Sequence, residues 1–275
     1  MTTAAERWHE DLASWAIPPE ILERAPESPW CLPVELFADR AVAPRVPSPS
    51  NLRALDALPG GGSVLDVGCG GGAASVPLAG RAGRLVGTDV SEEMLAAFRE
   101  RVGAAATSGA IVETILGTWP DVAAEVPVVD VVVSHHVVYN APDLGAFALA
   151  LSERARRRVV LELPPRHPVS DLNDLWLRFH GLRRPERPTA DDVVAVLREA
   201  GIDPEREDWT SAEWRGGFSR REDVVAFARR RLCLTPDRDP EVAEAIADRV
   251  VERDGRFGFP PRDLVTLWWE GRARG

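Results

Sequence analysis

Lysine and glutamine are absent from this chain of 275 residues, so all 33 basic residues other than histidine are arginines. Without lysine the chain cannot form the imine on which pyridoxal phosphate enzymes depend. It also lacks the lysine that holds phosphates in the P-loop of nucleotide-hydrolysing enzymes. Composition alone therefore excludes two large classes of enzyme.

Cysteine is scarce, and long apolar runs are missing. The three cysteines, Cys31, Cys69 and Cys233, have no CxxC spacing, and their odd number argues against a disulfide framework or a zinc site. We therefore expect no metal ion. No apolar run reaches the length of a membrane-spanning helix, and the N-terminal segment lacks the pattern of a signal peptide. Together these absences predict a cytoplasmic protein.

The charge balance is acidic. A net charge of −10 and a pI near 5.1 argue against partners rich in phosphate, such as nucleic acid or an anionic membrane surface. Arginines cluster at 154–158 and 229–231, at predicted helix ends where cations favour the helix dipole and water. We therefore expect neither nucleic acid nor a membrane as a partner, and the oligomeric state stays open.

The length suits one α/β domain with an additional cap or lid. Residues 1–50 combine short helical patterns with many prolines, and we predict that they form an N-terminal helical cap. Residues 51–165 are predicted to form a cofactor-binding core. Residues 166–275 are predicted to add lid helices and the last two strands of the sheet.

Strand and helix patterns alternate through the core. Short apolar runs predict strands at 63–67, 84–88, 111–116, 128–134 and 158–163. Helical patterns lie between or around them, at about 3–15, 19–25, 73–81, 91–102, 143–155, 171–180, 189–200, 219–231 and 239–253. Two later strands, about 206–215 and an antiparallel one at 263–270, complete the set. The alternation predicts a doubly wound, mostly parallel, seven-stranded α/β sheet with C-terminal insertions.

A glycine-rich turn with the sequence VLDVGCGGGA at 64–73 follows the first predicted strand. Glycines at such a turn let a ligand approach the backbone, and the next helix offers free N–H groups. The glycines alone fit dinucleotides and other adenosine cofactors equally well. Asp66 favours a cationic, amine-bearing ligand, because a carboxylate there would repel a pyrophosphate. Asp89, at the end of the second predicted strand, can accept hydrogen bonds from both hydroxyl groups of a ribose.

Through these residues, over about 64–163, the chain resembles the class I S-adenosylmethionine-dependent methyltransferases. The resemblance implies a Rossmann-like methyltransferase fold and S-adenosylmethionine as the cofactor. It implies that the acid and the glycines of the turn contact the methionine part of the cofactor, and that the end of the second strand holds the ribose and adenine. The predicted contacts of the methionine part are Asp66, Gly68, Cys69, Gly70 and Gly72. The predicted contacts of the ribose and adenine are Asp89 and Val90.

The adenine site departs from the family pattern. The family usually places an acidic residue after the third strand, where this chain reads Gly117-Thr118-Trp119 with no acid before Asp121. We therefore predict that Thr118 and Trp119 line this site, with the indole covering the adenine ring. The resemblance also implies that Ser134, at the end of the fourth strand, faces the cofactor and the substrate.

His135 and His136 are the first candidates for a general base, and the further candidates are His167, His180, Tyr139 and Glu162. A base is needed only when the acceptor must lose a proton, as a hydroxyl does. Because side chains alternate along a strand, one of the two histidines should face the site. Histidine titrates near neutral pH and can accept a proton there.

Several methyl acceptors fit the sequence poorly. Enzymes that methylate exocyclic amino groups of nucleic acid bases resemble one another in an N/D-P-P-Y/F turn, where this chain has SHHV at 134–137. Methylation of a pyrimidine carbon requires a cysteine nucleophile, and metal-assisted methylation of a catechol requires a cluster of carboxylates. Neither is found in a fitting place. We therefore predict transfer to an oxygen or nitrogen of a small organic molecule.

Two aromatic segments are candidates for an apolar lid over that acceptor, one containing Trp30, Phe37, Arg45 and Ser48, and another around Trp176. Two other functions stay open at this point. A nicotinamide-dependent oxidoreductase fits the loose glycine pattern, although the chain cannot supply a Tyr-x-x-x-Lys pair. A non-catalytic module that binds S-adenosylmethionine would need the same cofactor residues without a base.

Overall fold

The structure is a computed structural model that describes residues 2–29, 47–211 and 215–273. Two sheets and their helices lie in these residues. The strands are β1 (Gly62–Val67), β2 (Ala82–Asp89), β3 (Ile111–Leu116), β4 (Val129–His135), β5 (Ala155–Leu163), β6 (Glu205–Thr210), β7 (Arg215–Phe218), β8 (Val251–Arg253), β9 (Arg256–Phe259) and β10 (Asp263–Glu270). The helices are α1 (Ala4–Ala13), α2 (Pro19–Leu22), α3 (Pro49–Ala57), α4 (Val76–Ala79), α5 (Glu92–Ala105), α6 (Leu144–Arg154), α7 (Asn173–His180), α8 (Ala190–Glu199), α9 (Arg221–Arg231) and α10 (Asp239–Ala245).

The main sheet has seven strands in the order β3-β2-β1-β4-β5-β10-β6. The first five are parallel to one another. β10 lies antiparallel between β5 and β6. The predicted doubly wound, mostly parallel sheet with an inserted antiparallel last strand is therefore confirmed.

Hydrophobic side chains cover both faces of this sheet. Val131, Val132 and Val133 of β4 are fully buried, and they contribute to two separate apolar clusters. A strand whose middle residues are apolar on both faces is typical of the centre of a parallel sheet. The valine-rich sequence of β4 therefore explains its central place.

Half of the α-helices in the described residues begin where a side chain caps them. In α8, the hydroxyl of Thr189 and the carboxylate of Asp192 satisfy each other's backbone N–H groups in a capping box. Ser91 caps α5 in a similar way, because its Oγ accepts a hydrogen bond from the N–H of Met94. These local signals explain why both helices start within one or two residues of the predicted position.

The helix after the glycine turn is much shorter than predicted. The pattern predicts a helix over 73–81, whereas α4 covers Val76–Ala79 only. Gly70 and Gly72 have positive φ values of 49° and 82°, so the chain turns through left-handed conformations before it can enter a helix. The glycine turn therefore takes up the first residues of the segment that the pattern predicts to be helical.

A second sheet of three strands, in the order β7-β9-β8, lies outside the predicted fold. The predicted helix over 239–253 is wrong beyond Ala245, and the predicted strand over 206–215 ends at Thr210. Asp254 and Gly255 connect β8 to β9 with φ values of 53° and 72°. An Asp-Gly pair with positive φ at both positions is typical of a tight hairpin, so the sequence did contain a signal for these strands.

Two glycine substitutions should have opposite effects on stability. Gly255→Ala is expected to lower the free energy of unfolding by about 1–2 kcal/mol, because an L-residue is strained at positive φ. Gly103→Ala is expected to raise it by roughly 0.5–1 kcal/mol, because alanine favours a helix interior. A Cβ at Gly103 in α5 would meet nothing within 4 Å. Urea denaturation of both variants would measure the difference, and equal effects would contradict the turn geometry.

The N-terminal helix packs against the main sheet's helical layer. α1 contacts α8 and α6, and its Trp8 is 1% exposed with an indole N–H that donates to the carbonyl of Ala141 at 2.8 Å. Trp30, Phe37 and Arg45 of the predicted lid lie outside the described residues. Ser48 is described and caps α3.

Candidate cofactor and active site

The glycine turn lies at the carboxyl edge of the parallel strands, directly after β1. At Gly68, with φ of 67°, a Cβ would lie 2.5 Å from Val137 Cγ2, so the turn and the segment after β4 pack tightly. At Gly72 a Cβ would lie 2.7 Å from Val102 Cγ2. Gly70 differs, because a Cβ there would meet nothing within 4 Å. Two of the predicted glycines therefore permit packing, and Gly70 borders open space.

Asp66 is a buried carboxyl group beneath this turn. It is 1% exposed, and its Oδ2 accepts a hydrogen bond of 2.7 Å from Ser75 Oγ. Burial raises the pKa of Asp66 to about 7, against the effect of the Ser75 hydrogen bond and with a smaller contribution from the charge of Asp89. The ionised form of such a buried carboxyl group is stabilised when a ligand brings a positive charge next to it.

Asp89 connects the glycine turn to the start of α5. Its Oδ2 accepts a hydrogen bond of 2.9 Å from the N–H of Gly70, and its Oδ1 accepts one of 3.0 Å from the N–H of Ser91. Val90 beside it is 69% exposed, and Leu116, which pairs with Asp89 across the strands, is 50% exposed. Leu116 thus adds an exposed apolar side chain beside the predicted pair Asp89 and Val90, and it was not predicted from the sequence.

Trp119, predicted to cover the adenine, is largely buried after β3. Its indole is 9% exposed within the main apolar cluster, and its N–H donates to the carbonyl of Phe147 at 3.2 Å. The indole therefore packs against α6, and its cover of the adenine ring stays a prediction. Thr118 is exposed at the surface.

Cys69 and Ser134 also make contacts inside the protein. Cys69 is 6% exposed, burial raises the pKa of its thiol, and its Sγ would lie 2.9 Å from a Cβ at Gly87. Ser134 is fully buried, and its hydroxyl donates to the carbonyl of Val67 at 2.9 Å. The Ser134 hydroxyl orients the end of β1, and the Cys69 side chain fills space behind the turn. Contact of Ser134 with the cofactor stays a prediction.

The two histidines differ in their surroundings. The His135 side chain is 9% exposed, its Nδ1 lies 3.9 Å from Glu162 Oε2, and its Nε2 has no hydrogen-bond partner. Burial lowers the pKa of His135, with the charge of Glu162 opposing the change. The ring is therefore neutral near pH 7, and in the tautomer with its proton on Nδ1 the buried, unpartnered Nε2 can accept a proton.

His136 has a positive φ of 64°, which is uncommon for a residue other than glycine. Its Nε2 lies 3.1 Å from Glu162 Oε1, and Arg262 Nη2 lies 3.2 Å from its Nδ1. Both ring nitrogens thus face charged partners. The structure therefore separates two residues that the sequence could not tell apart.

Glu162 of β5, a secondary base candidate in the sequence, organises this histidine pair. It is 7% exposed, and Ser48 Oγ donates to its Oε2 at 3.0 Å. Burial alone would raise the pKa of Glu162, but the neighbouring histidines and hydroxyl groups hold it below its usual range. A single acid inside the apolar run of β5 was the sequence signal for this role.

The described part of the chain holds no group of three or more His, Cys, Asp or Glu side chains arranged to bind a metal ion. Within the same ranges, no helix is long and apolar enough to cross a membrane.

Comparison with known families identifies the fold around this site. Residues 64–157 match the family model of a methyltransferase domain. Over these residues the chain carries a methyltransferase domain. This result decides against the nicotinamide-dependent oxidoreductase, and S-adenosylmethionine is the cofactor of the family.

Solved structures share the fold of this methyltransferase. A Bacillus halodurans C-125 protein assigned as a methyltransferase is 17% identical, with a TM-score of 0.50 over 80% of this chain and 97% of the other. The YcgJ protein of Bacillus subtilis is 15% identical, with a TM-score of 0.51 over 82% of this chain and 98% of the other. A search of curated protein sequences finds no match. At these identities the likeness establishes the fold and not the substrate.

Proposed function

We propose that this methyltransferase transfers a methyl group from S-adenosylmethionine to an oxygen or nitrogen of a small organic molecule. When bound, the cofactor supplies a methyl group on a positively charged sulfur, which becomes a neutral thioether as the acceptor's lone pair takes the methyl carbon. The observation that carries the proposal is the unpartnered Nε2 of His135 at the end of β4, one strand away from the glycine turn. A proton acceptor and a cofactor loop are thereby neighbours.

The residues around the turn fit this cofactor. Gly70 borders open space, so the backbone there can be approached closely by a ligand. The buried Asp66 suits the ammonium group of the methionine part. Asp89 can hold a ribose while it keeps its hydrogen bonds to the turn, because a carboxylate has about four lone-pair sites. The exposed side chains of Val90 and Leu116 offer apolar surface to the adenine.

Cofactor binding should depend on the ionisation of Asp66. Its pKa of about 7 means that the carboxyl group is largely protonated in slightly acidic solution and must lose that proton before it can pair with an ammonium group. The affinity for S-adenosylhomocysteine is therefore expected to rise about tenfold between about pH 6 and pH 8, with release of a proton. Calorimetry in two buffers would measure both, and Asp66→Asn should remove the dependence. A slope that persists in this variant would assign it to another group.

Proton transfer is assigned to His135. For a hydroxyl acceptor, the oxygen forms the new bond to carbon while its proton moves to Nε2 of the neutral ring. Glu162 lies near Nδ1 on the other side of the ring and stabilises the positive charge that develops there. His136 holds the Glu162 carboxylate in place, since its Nε2 is 3.1 Å away. Thus one histidine reacts and the other positions its neighbour.

The proposal is tested by supplying methyl-labelled cofactor to the purified chain together with a small-molecule extract. Label should appear in one or a few small compounds, attached to oxygen or nitrogen. Binding of S-adenosylhomocysteine without any labelled product would favour the non-catalytic module. Label in nucleic acid or protein instead would contradict the acceptor class.

A further inference from the structure

We propose that the methyl acceptor is a small organic acid, whose carboxylate binds in a cleft beside β5 while its reacting oxygen or nitrogen lies at His135. This inference rests on the proposed function and names its substrate class. The cleft, called here the proline cleft, has a volume of about 240 Å³. Its lining includes Pro164, Pro165, Arg166, His167, Pro261 and Arg262.

The proline cleft and the histidine pair share one edge of the sheet. β1, β4, β5 and β10 are successive neighbours, and because β10 is antiparallel its beginning lies at the same edge as the ends of the other three. Neighbouring strands are spaced by about 4.8 Å, so the start of β10 lies about 10 Å from the end of β4. Arg262 connects the two places, since it lines the cleft and lies 3.2 Å from His136. A single small molecule can therefore reach both.

The charges of the cleft favour one carboxylate. Arg166 and Arg262 bring guanidinium groups, whose planar geometry matches a carboxylate. Asp171 and Asp263 also line the cleft, and Asp263 accepts a hydrogen bond of 2.7 Å from Thr210. Acidic groups this close disfavour a phosphate with two negative charges, or a polyanion. The two guanidinium groups can bind one carboxylate, while the two acids disfavour a ligand with more negative charge.

His167 provides a further polar group in the lining. It is 8% exposed, and its Nδ1 is buried without a hydrogen-bond partner. Its ring stacks on Trp15, with 3.9 Å between centroids. Burial lowers the pKa of His167 to about 4, so the ring is neutral at pH 7. A buried, unpartnered imidazole nitrogen is rare in folded proteins, and a ligand that hydrogen-bonds to it explains why it is kept.

The walls of the cleft limit the size and polarity of the acid. Pro164, Pro165, Pro168 and Pro261 offer rigid apolar surface without backbone N–H donors. The volume lies below the range of about 300–1,000 Å³ that is common for drug-sized ligands. The cleft therefore suits an acid with a short apolar body, such as a single ring, between the carboxylate and the reacting atom.

The test uses the full chain saturated with S-adenosylhomocysteine and pairs of acids and their neutral amides. Suitable pairs are 4-hydroxybenzoate with 4-hydroxybenzamide, 3-aminobenzoate with 3-aminobenzamide, and 3-hydroxyphenylacetate with its amide. Each acid is expected to bind about tenfold more tightly than its amide. Arg166→Met and Arg262→Met should each reduce that preference severalfold. Arg156→Met is the matched control, because Arg156 is exposed at the opposite end of β5 and should leave the preference unchanged.

The outcomes separate this inference from the proposed function. Binding of S-adenosylhomocysteine is measured first, and its absence would contradict the cofactor site itself. Normal cofactor binding with no preference for the acid in any pair would overturn the acidic acceptor and leave methyl transfer intact. If Arg262→Met loses its fold through the contact with His136, Arg166→Met alone decides. A preference for acids that survives Arg166→Met as it survives the control would also overturn the assignment to this cleft.

Discussion

Replacing Asp89 by alanine is expected to weaken the binding of S-adenosylhomocysteine by about 100-fold or more, which corresponds to roughly 2.7 kcal/mol. Two losses combine. The ribose loses its charged acceptor, and hydrogen bonds to charged groups contribute roughly 1.5–3 kcal/mol each. The N–H groups of Gly70 and Ser91 also lose the carboxylate that holds them, so the glycine turn is no longer fixed. Calorimetric titration would measure the affinity.

Two further variants make the Asp89 result specific. Asp89→Asn keeps one carbonyl oxygen and should give an intermediate affinity, because an amide can accept but carries no charge. Asp56→Ala removes an exposed acid from α3 and should bind the ligand normally. An Asp89→Ala variant that is folded and binds as tightly as the unchanged protein would remove Asp89 from the cofactor site.

Replacing His135 by alanine is expected to slow methyl transfer to a hydroxyl acceptor by about 100- to 10,000-fold, the usual contribution of a positioned general base. The affinity for S-adenosylhomocysteine should stay within about twofold, since the ring nitrogen serves the acceptor. Rates would be measured with the first hydroxyl compound that gains label from the extract.

The rate of methyl transfer at low pH is an independent test of the role of His135. Its pKa is lowered from 6.5 by burial, so the neutral base is present at pH 6.5 and above and is lost only at lower pH. At saturating S-adenosylmethionine, where the titration of Asp66 no longer limits binding, the rate should fall below this pH in the unchanged protein, and the His135 variant should lose that limb of the profile.

His136→Ala is the matched comparison for His135→Ala. Both ring nitrogens of His136 already face Glu162 and Arg262. Its loss should therefore lower the free energy of unfolding, while the rate of methyl transfer should fall much less than in His135→Ala. The reverse result, with a fast His135 variant and a slow His136 variant, would exchange the two roles.

The sequence predicted the features that depend on local patterns. Short apolar runs and their alternation with helices predicted the sheet, because a buried parallel strand must be apolar on both faces. The glycine turn and its two acids were also visible, since strand ends and positive φ angles leave local signals. The hairpin at Asp254-Gly255 was just as local, and it was missed because the helical pattern of the preceding segment was extended too far.

Other features depended on which side chains the fold brings together. Trp119 and Ser134 occupy the expected positions in the chain, yet their polar groups bond to Phe147 and Val67 inside the protein. No local pattern states whether a side chain at a strand end turns inward or towards a ligand. That choice is made by packing against neighbouring elements.

By itself the sequence determined a methyltransferase sheet with a glycine turn, a buried acid and a second acid at adjacent strand ends. Only the tertiary structure decided that Glu162 pairs with the histidines and that His135 keeps an unpartnered nitrogen. It also joined Pro164 to Pro261 in one cleft. The physical reason is the antiparallel insertion of β10, which brings residues far apart in the chain to the same edge of the sheet.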